Sequence, residues 1–84
     1  MKPIRLTRHA TEQCVDRGAS EDEVREAIQR GVRQPAKRGR YIYRLNFQYG
    51  AEWQGKLYAI KQVAPVVAEE QNQMVVVTVY TFYF

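Results

Sequence analysis

His9, Gln13 and Arg17 follow one another at intervals of four residues, and on a helix turning about 100° per residue the set drifts by only about 80°. They share one face. An imidazole that titrates near neutrality beside a fixed guanidinium is the pairing that metal-free phosphodiester cleavage uses. One group moves a proton and the other holds the phosphate charge. The same spacing also suits a structural role, with Arg17 complementing the negative end of a helix and His9 capping or packing. Other chemistries have less to stand on. The chain has one His and one Cys, and neither has a carboxylate cluster at ligand spacing, so no metal set suggests itself. Cys14 lies four residues after Ala10 on the helical repeat and reads as a small buried group rather than a nucleophile. No Gly-rich phosphate loop or serine elbow is present.

The charge pattern points the same way. Thirteen Lys and Arg against nine Asp and Glu give a net charge of +4 over 84 residues. Residues 1–44 hold eleven of the thirteen cations, but the acids in that half stop at Glu26. From Ala27 to Ala51 there are Arg30, Arg33, Lys37, Arg38, Arg40 and Arg44, with no Asp or Glu between them. Such a run raises the local positive potential and suits a phosphate-rich ligand, while a solvated basic surface is its plainer meaning.

A chain of this length has room for one domain, 1–84, with a thin core. The lone Cys14 cannot staple it by an intrachain disulfide, which fits a reducing cytoplasm. Lys2, Arg5, Arg8 and His9 precede no apolar run, so the N-terminus does not read as a signal peptide. No stretch approaches the roughly 18 apolar residues of a membrane span. A cytoplasmic protein that avoids membranes is expected.

The elements that must carry these residues are marked by local chemistry. Thr7 precedes a helix-compatible run, Arg8 to Arg17, that Gly18 would end. Ser20 with Glu23 forms a capping box for a second helix ending at Gly31, with Val24, Ala27 and Ile28 on its apolar face. After Gly39 the period becomes two, placing Tyr41, Tyr43, Leu45 and Phe47 on one side of a strand and Arg40, Ile42, Arg44 and Asn46 on the other. Tyr49 to Gly55 reads as a hairpin connection, Lys56 to Val63 as a second strand, and Pro65 as a bulge or edge before pairing resumes over Val66 to Ala68. Glu69 to Gln73 reads as a turn. Met74 to Phe84, rich in Val, Thr, Tyr and Phe, reads as a central strand. The expected fold is α+β, with two N-terminal helices packed on one face of a three- to four-stranded antiparallel sheet.

The segment His9-Ala10-Thr11-Glu12-Gln13-Cys14-Val15-Asp16-Arg17-Gly18-Ala19, continued by Ser20-Glu21-Asp22-Glu23-Val24, resembles the H-A-x-x-R-M-x-x-R-G-I-S-x-x-E-V signature of a bacterial family, domain of unknown function 4258. Gly39-Arg40-Tyr41 and Val76-Val77-Thr78-Val79-Tyr80 are similar to its later motifs. Gln13 and Cys14 replace the usual arginine and methionine, which removes one phosphate contact the family could use. The family in turn resembles the RelE and BrnT class of toxin-like folds, whose members often cut RNA without metal. That likeness is one of fold, which does not itself establish function. The resemblance implies a toxin-like, metal-independent ribonuclease that needs no cofactor. His9 would transfer the proton, Arg17 and Arg44 would clamp phosphate, and Tyr80 would donate a second proton or stack a base. Arg33, Lys37, Arg38, Arg40 and Arg44 would bind the RNA backbone. A non-catalytic RNA- or protein-binding module of the same fold is the alternative, with an antitoxin-like protein as a further partner. A homodimer is also open to it, because the Val-Thr-Val-Tyr-Thr-Phe-Tyr-Phe run could be covered by a second copy.

Overall fold

The computed structural model describes residues 2–84. The two helices form where their caps dictate. In α1 (Arg8–Arg17) the Thr7 hydroxyl accepts from the Ala10 N–H, and Gly18 closes the other end in the left-handed conformation, φ 75°. In α2 (Glu21–Arg30) the Ser20 hydroxyl accepts from the Glu23 N–H while the Glu23 carboxylate accepts from the Ser20 N–H. Each pair satisfies N–H groups that a helix start otherwise leaves without partners. Neither helix is long and apolar enough to cross a membrane.

The strands are β1 (Ile4–Leu6), β2 (Val32–Pro35), β3 (Tyr41–Trp53), β4 (Lys56–Glu69) and β5 (Met74–Tyr83). They make one mixed sheet in the order β1-β5-β4-β3-β2. Three parts of the sequence expectation need correction. The sheet has five strands rather than three or four. It is not wholly antiparallel, because β1 runs parallel to β5 with Ile4 opposite Met74. The helices are not the N-terminal elements, since β1 precedes them. β1 is too short to show a period, and β2, VRQP, carries an arginine and a proline and is exposed throughout. Each exists because a longer neighbour offers it a ladder.

The β3–β4 hairpin is also longer than expected. Residues 49–53 belong to β3, and the connection shrinks to Gln54-Gly55, both at positive φ, the conformation that two-residue hairpin turns require. Pro65 lies inside β4, buried, and does not end it. Its missing N–H falls on the β3 side, where pairing lapses between Ile42–Val66 and Leu45–Val63. The register shift comes next to it, after Val66, in the pairing with β5.

Both helices cover one face of the sheet. Ala10, Cys14, Val24 and Ile28 meet Ile4, Tyr43, Val63, Val67, Met74, Val76 and Val79 in a single core. The close fit is visible at two glycines. A Cβ on Gly18 would stand 2.6 Å from the Trp53 ring and 2.7 Å from the Tyr83 hydroxyl, and one on Gly31 would stand 2.4 Å from the Ala27 carbonyl oxygen. Lys61 is the one buried charged side chain among the described residues. It donates to the Gly18 carbonyl at 2.8 Å and to Glu23 at 2.9 Å, which ties β4 to both helix ends. A charge removed from water needs such partners.

Candidate nucleic-acid interface

The sheet face away from the helices is open, and β3, β4 and β5 set its residues in rows. Ala64 faces Tyr80 across one ladder, and Gln62 faces Phe82. On the β3 side the same register brings Arg44 beside Ala64, a buried residue small enough to leave the two larger side chains standing above it. Tyr80 and Phe82 are 42% and 40% exposed, a large solvent-facing area for two aromatic rings on one strand. Their centroids are 6.3 Å apart with planes 23° from parallel.

Each ring has a guanidinium beside it. Arg44 lies 5.6 Å from the Phe82 ring centre and donates to Gln34 and Gln62. Its anchors are neutral amides, so its charge is oriented without being cancelled. Arg17 lies 5.2 Å from the Tyr80 ring centre. It reaches there by crossing the edge of β5, which β1 leaves unpaired beyond Val76. Arg17 donates to the Val79 carbonyl at 2.7 Å, and Gln13 accepts from the Val79 N–H at 2.8 Å. The two side chains stand in for the missing strand and close an edge that would otherwise offer free backbone groups. The Arg17 carbonyl in turn accepts from the hydroxyls of Thr81 and Tyr83.

The residues singled out in the sequence therefore separate. Arg17 and Tyr80 come together, from different elements. His9 sits in the first turn of α1, exposed, and takes part in no side-chain hydrogen bond among the described residues. Gln13, which replaces the signature's arginine, has a defined task at the β5 edge. Arg40, Lys37 and Arg38 line a hollow with Tyr80. Arg33 points to the other face and covers the Tyr41 ring at 4.5 Å, and it lies outside the Tyr80 group. Arg30, counted among the uncompensated cations, forms an ion pair with Glu26 at 2.7 Å. Among the described residues Arg33, Lys37, Arg38, Arg40 and Arg44 make no ion pair. Phe82 joins the site, and the sequence signals it only by its two-residue spacing from Tyr80.

The covered face holds the perturbed groups. Burial pushes the Cys14 thiol up, with Glu21 and Glu23 adding to the effect. Burial also raises the Tyr83 hydroxyl. Among the described residues no three His, Cys, Asp or Glu side chains gather as a metal site would need. No family model, no curated protein and no solved structure matches this chain.

Proposed function

We propose that this chain is an RNA-binding domain whose open sheet face takes a single strand. The observation that carries the reading is the adjacent pair Tyr80 and Phe82, exposed on one strand with Arg17 and Arg44 against their rings. Bases have π-faces that stack on aromatic rings, and phosphates seek cations without acidic partners. A duplex hides its base faces, so the aromatic pair favours unpaired RNA. The charge division supports the same orientation. All six acids between residues 8 and 30 lie on the helices, whereas Lys37, Arg38 and Arg40 line a hollow with Tyr80 and Arg44 stands beside Phe82.

Titration of labelled single-stranded RNA tests this reading. Tyr80→Ala and Phe82→Ala are each expected to weaken binding by about 1–3 kcal/mol, with little preference among sequences. Arg40→Ala with Arg44→Ala should flatten the log–log salt dependence by about two units if each neutralises one phosphate. Full affinity in Tyr80→Ala with Phe82→Ala would remove the face from consideration.

The contact between Arg17 and Tyr80 favours a second reading, metal-independent cleavage on this face. The Tyr80 hydroxyl donates to no group among the described residues and could transfer a proton, while Arg17 would stabilise phosphate charge. RNA incubated with the protein in chelator would then yield cyclic-phosphate ends. Tyr80→Phe should lower that rate by roughly 10²–10⁴-fold with affinity nearly kept. If His9→Ala had that effect instead, the proton transfer would belong to α1.

A further inference from the structure

Resting on the RNA-binding reading, we infer that one end of the open face is a pocket for a single nucleotide, with the base over the sheet and the phosphate held by the turn between β2 and β3. The hollow there has a volume of about 430 Å³, the same as a second hollow beside Arg30 and Gln62, so its lining and not its size marks it. Its floor is a row across three strands. Ile42 faces Val66 on one ladder and Val66 faces Thr78 on the next, and the Tyr80 ring forms a wall. Ile42 and Val66 make that floor mainly apolar, which suits a base. Its hydroxyls come from Thr78 and Tyr80, and no side-chain amide or carboxylate lines it, so it should discriminate little among bases.

The rim is different chemistry. Lys37 and Arg38, in the turn Lys37–Gly39, and Arg40 just after it line the rim, and no acidic residue lines the hollow. Three cations at one end and an apolar shelf at the other match the two ends of a nucleoside monophosphate. The turn is built rather than loose. The Ala36 N–H donates to the Arg40 carbonyl at 2.8 Å, and the Arg40 N–H donates to the Lys37 carbonyl at 3.3 Å. Arg38 has φ 63° and Gly39 φ 70°, so a non-glycine residue occupies the left-handed region at a cost of about 1–2 kcal/mol.

The phosphate could belong to a chain end or to an internal nucleotide. NMR titration of the full chain with uridine 5′-monophosphate, uridine and inorganic phosphate tests the pocket. The monophosphate should shift the amides of residues 37–42, Val66 and Thr78 and bind at least tenfold more tightly than either part alone. Lys37→Ala with Arg40→Ala should lower its affinity tenfold or more, Arg40→Lys should recover part of the loss, and Lys56→Ala at the far hairpin tip should change nothing. Tighter binding of 5′-phosphorylated than 5′-hydroxyl RNA would assign the pocket to a chain end, and equal binding to an internal nucleotide. Phosphate binding as tightly as the monophosphate, or shifts confined to residues away from the hollow, would overturn the inference. If single-stranded RNA binds but the monophosphate moves no amide, the pocket is wrong and the open-face reading stands. If neither binds, both fall.

Discussion

Tyr80 and Tyr83 are three residues apart on β5 and occupy opposite faces of the sheet, with opposite consequences. Tyr83 stacks on Trp53 at 4.9 Å, meets Tyr49 and Tyr58 at 5.4 and 5.5 Å, and donates its hydroxyl to the Arg17 carbonyl at 2.7 Å. Tyr80 keeps its hydroxyl unengaged among the described residues and meets a guanidinium and a second exposed ring. One tyrosine is consumed by the fold and the other is left over. A polar aromatic whose hydrogen-bonding capacity the fold uses is structural, whereas one exposed among uncancelled cations is available to a ligand. Arg17 belongs to both settings, since its carbonyl serves the covered face and its guanidinium the open one.

Breaking the covered side should have the largest effect. Gly18→Ala places a Cβ against Trp53 and Tyr83 at φ 75°, so a loss of about 2–4 kcal/mol in urea unfolding is expected from strain and overpacking together. RNA affinity per folded molecule should change little.

The tyrosines themselves sharpen the contrast. Tyr83→Phe removes one donor from the Arg17 carbonyl, which keeps the Thr81 hydroxyl at 2.9 Å, so a loss of about 0.5–1 kcal/mol is expected. Tyr80→Phe should stay within about 0.5 kcal/mol of the parent. Equal losses from the two substitutions would end the distinction drawn between the faces.

The smallest effect is that of alkaline pH. Cys14 and Tyr83 have folded-state values raised above their ordinary 9.0 and 10.0. Between the unfolded and folded values the native state binds more protons than the unfolded chain, so stability falls as pH rises there. From these two groups no change is expected below about pH 8, followed by a shallow decline above 9 in the urea midpoint. Cys14→Ala should make the start of that decline later. A thiol this buried should also react slowly with alkylating reagents at pH 8.

The parts of the molecule written in local chemistry could be read in the sequence. Thr7, Gly18, Ser20 with Glu23, and Gly31 bound both helices because a cap acts within one turn, and the alternation from Arg40 to Phe47 gave the two faces of β3. What could not be read depends on distant partners. Ile4–Leu6 is a strand because Met74–Val76 lies beside it, and Val32–Pro35 because Pro35, Gln34, Arg33 and Val32 face Tyr41 to Arg44. Gly31 looked like a simple helix stop, yet its φ of −76° is ordinary, and its need for a bare Cα comes from the Ala27 and Arg44 backbones. The site divides likewise. The cationic run and Tyr80 were visible, but the route of Arg17 across the β5 edge joins residues 62 positions apart, and no spacing rule reaches that far.

The pairing of β1 with β5 also sets a timetable. Ile4 and Leu6 find their neighbours only when Met74 and Val76 exist, and α1 packs chiefly against that same strand. In a chain whose β5 has not yet paired, α2 and the β3–β4 hairpin have their partners while the N-terminal segment has nothing to dock on. Until β5 pairs, the apolar stripe of Ala10 and Cys14 and the β5-facing edge of β4 are uncovered. Loop closure between β1 and β5 must follow, so this small domain should fold slowly for its size and be most prone to association before β5 docks.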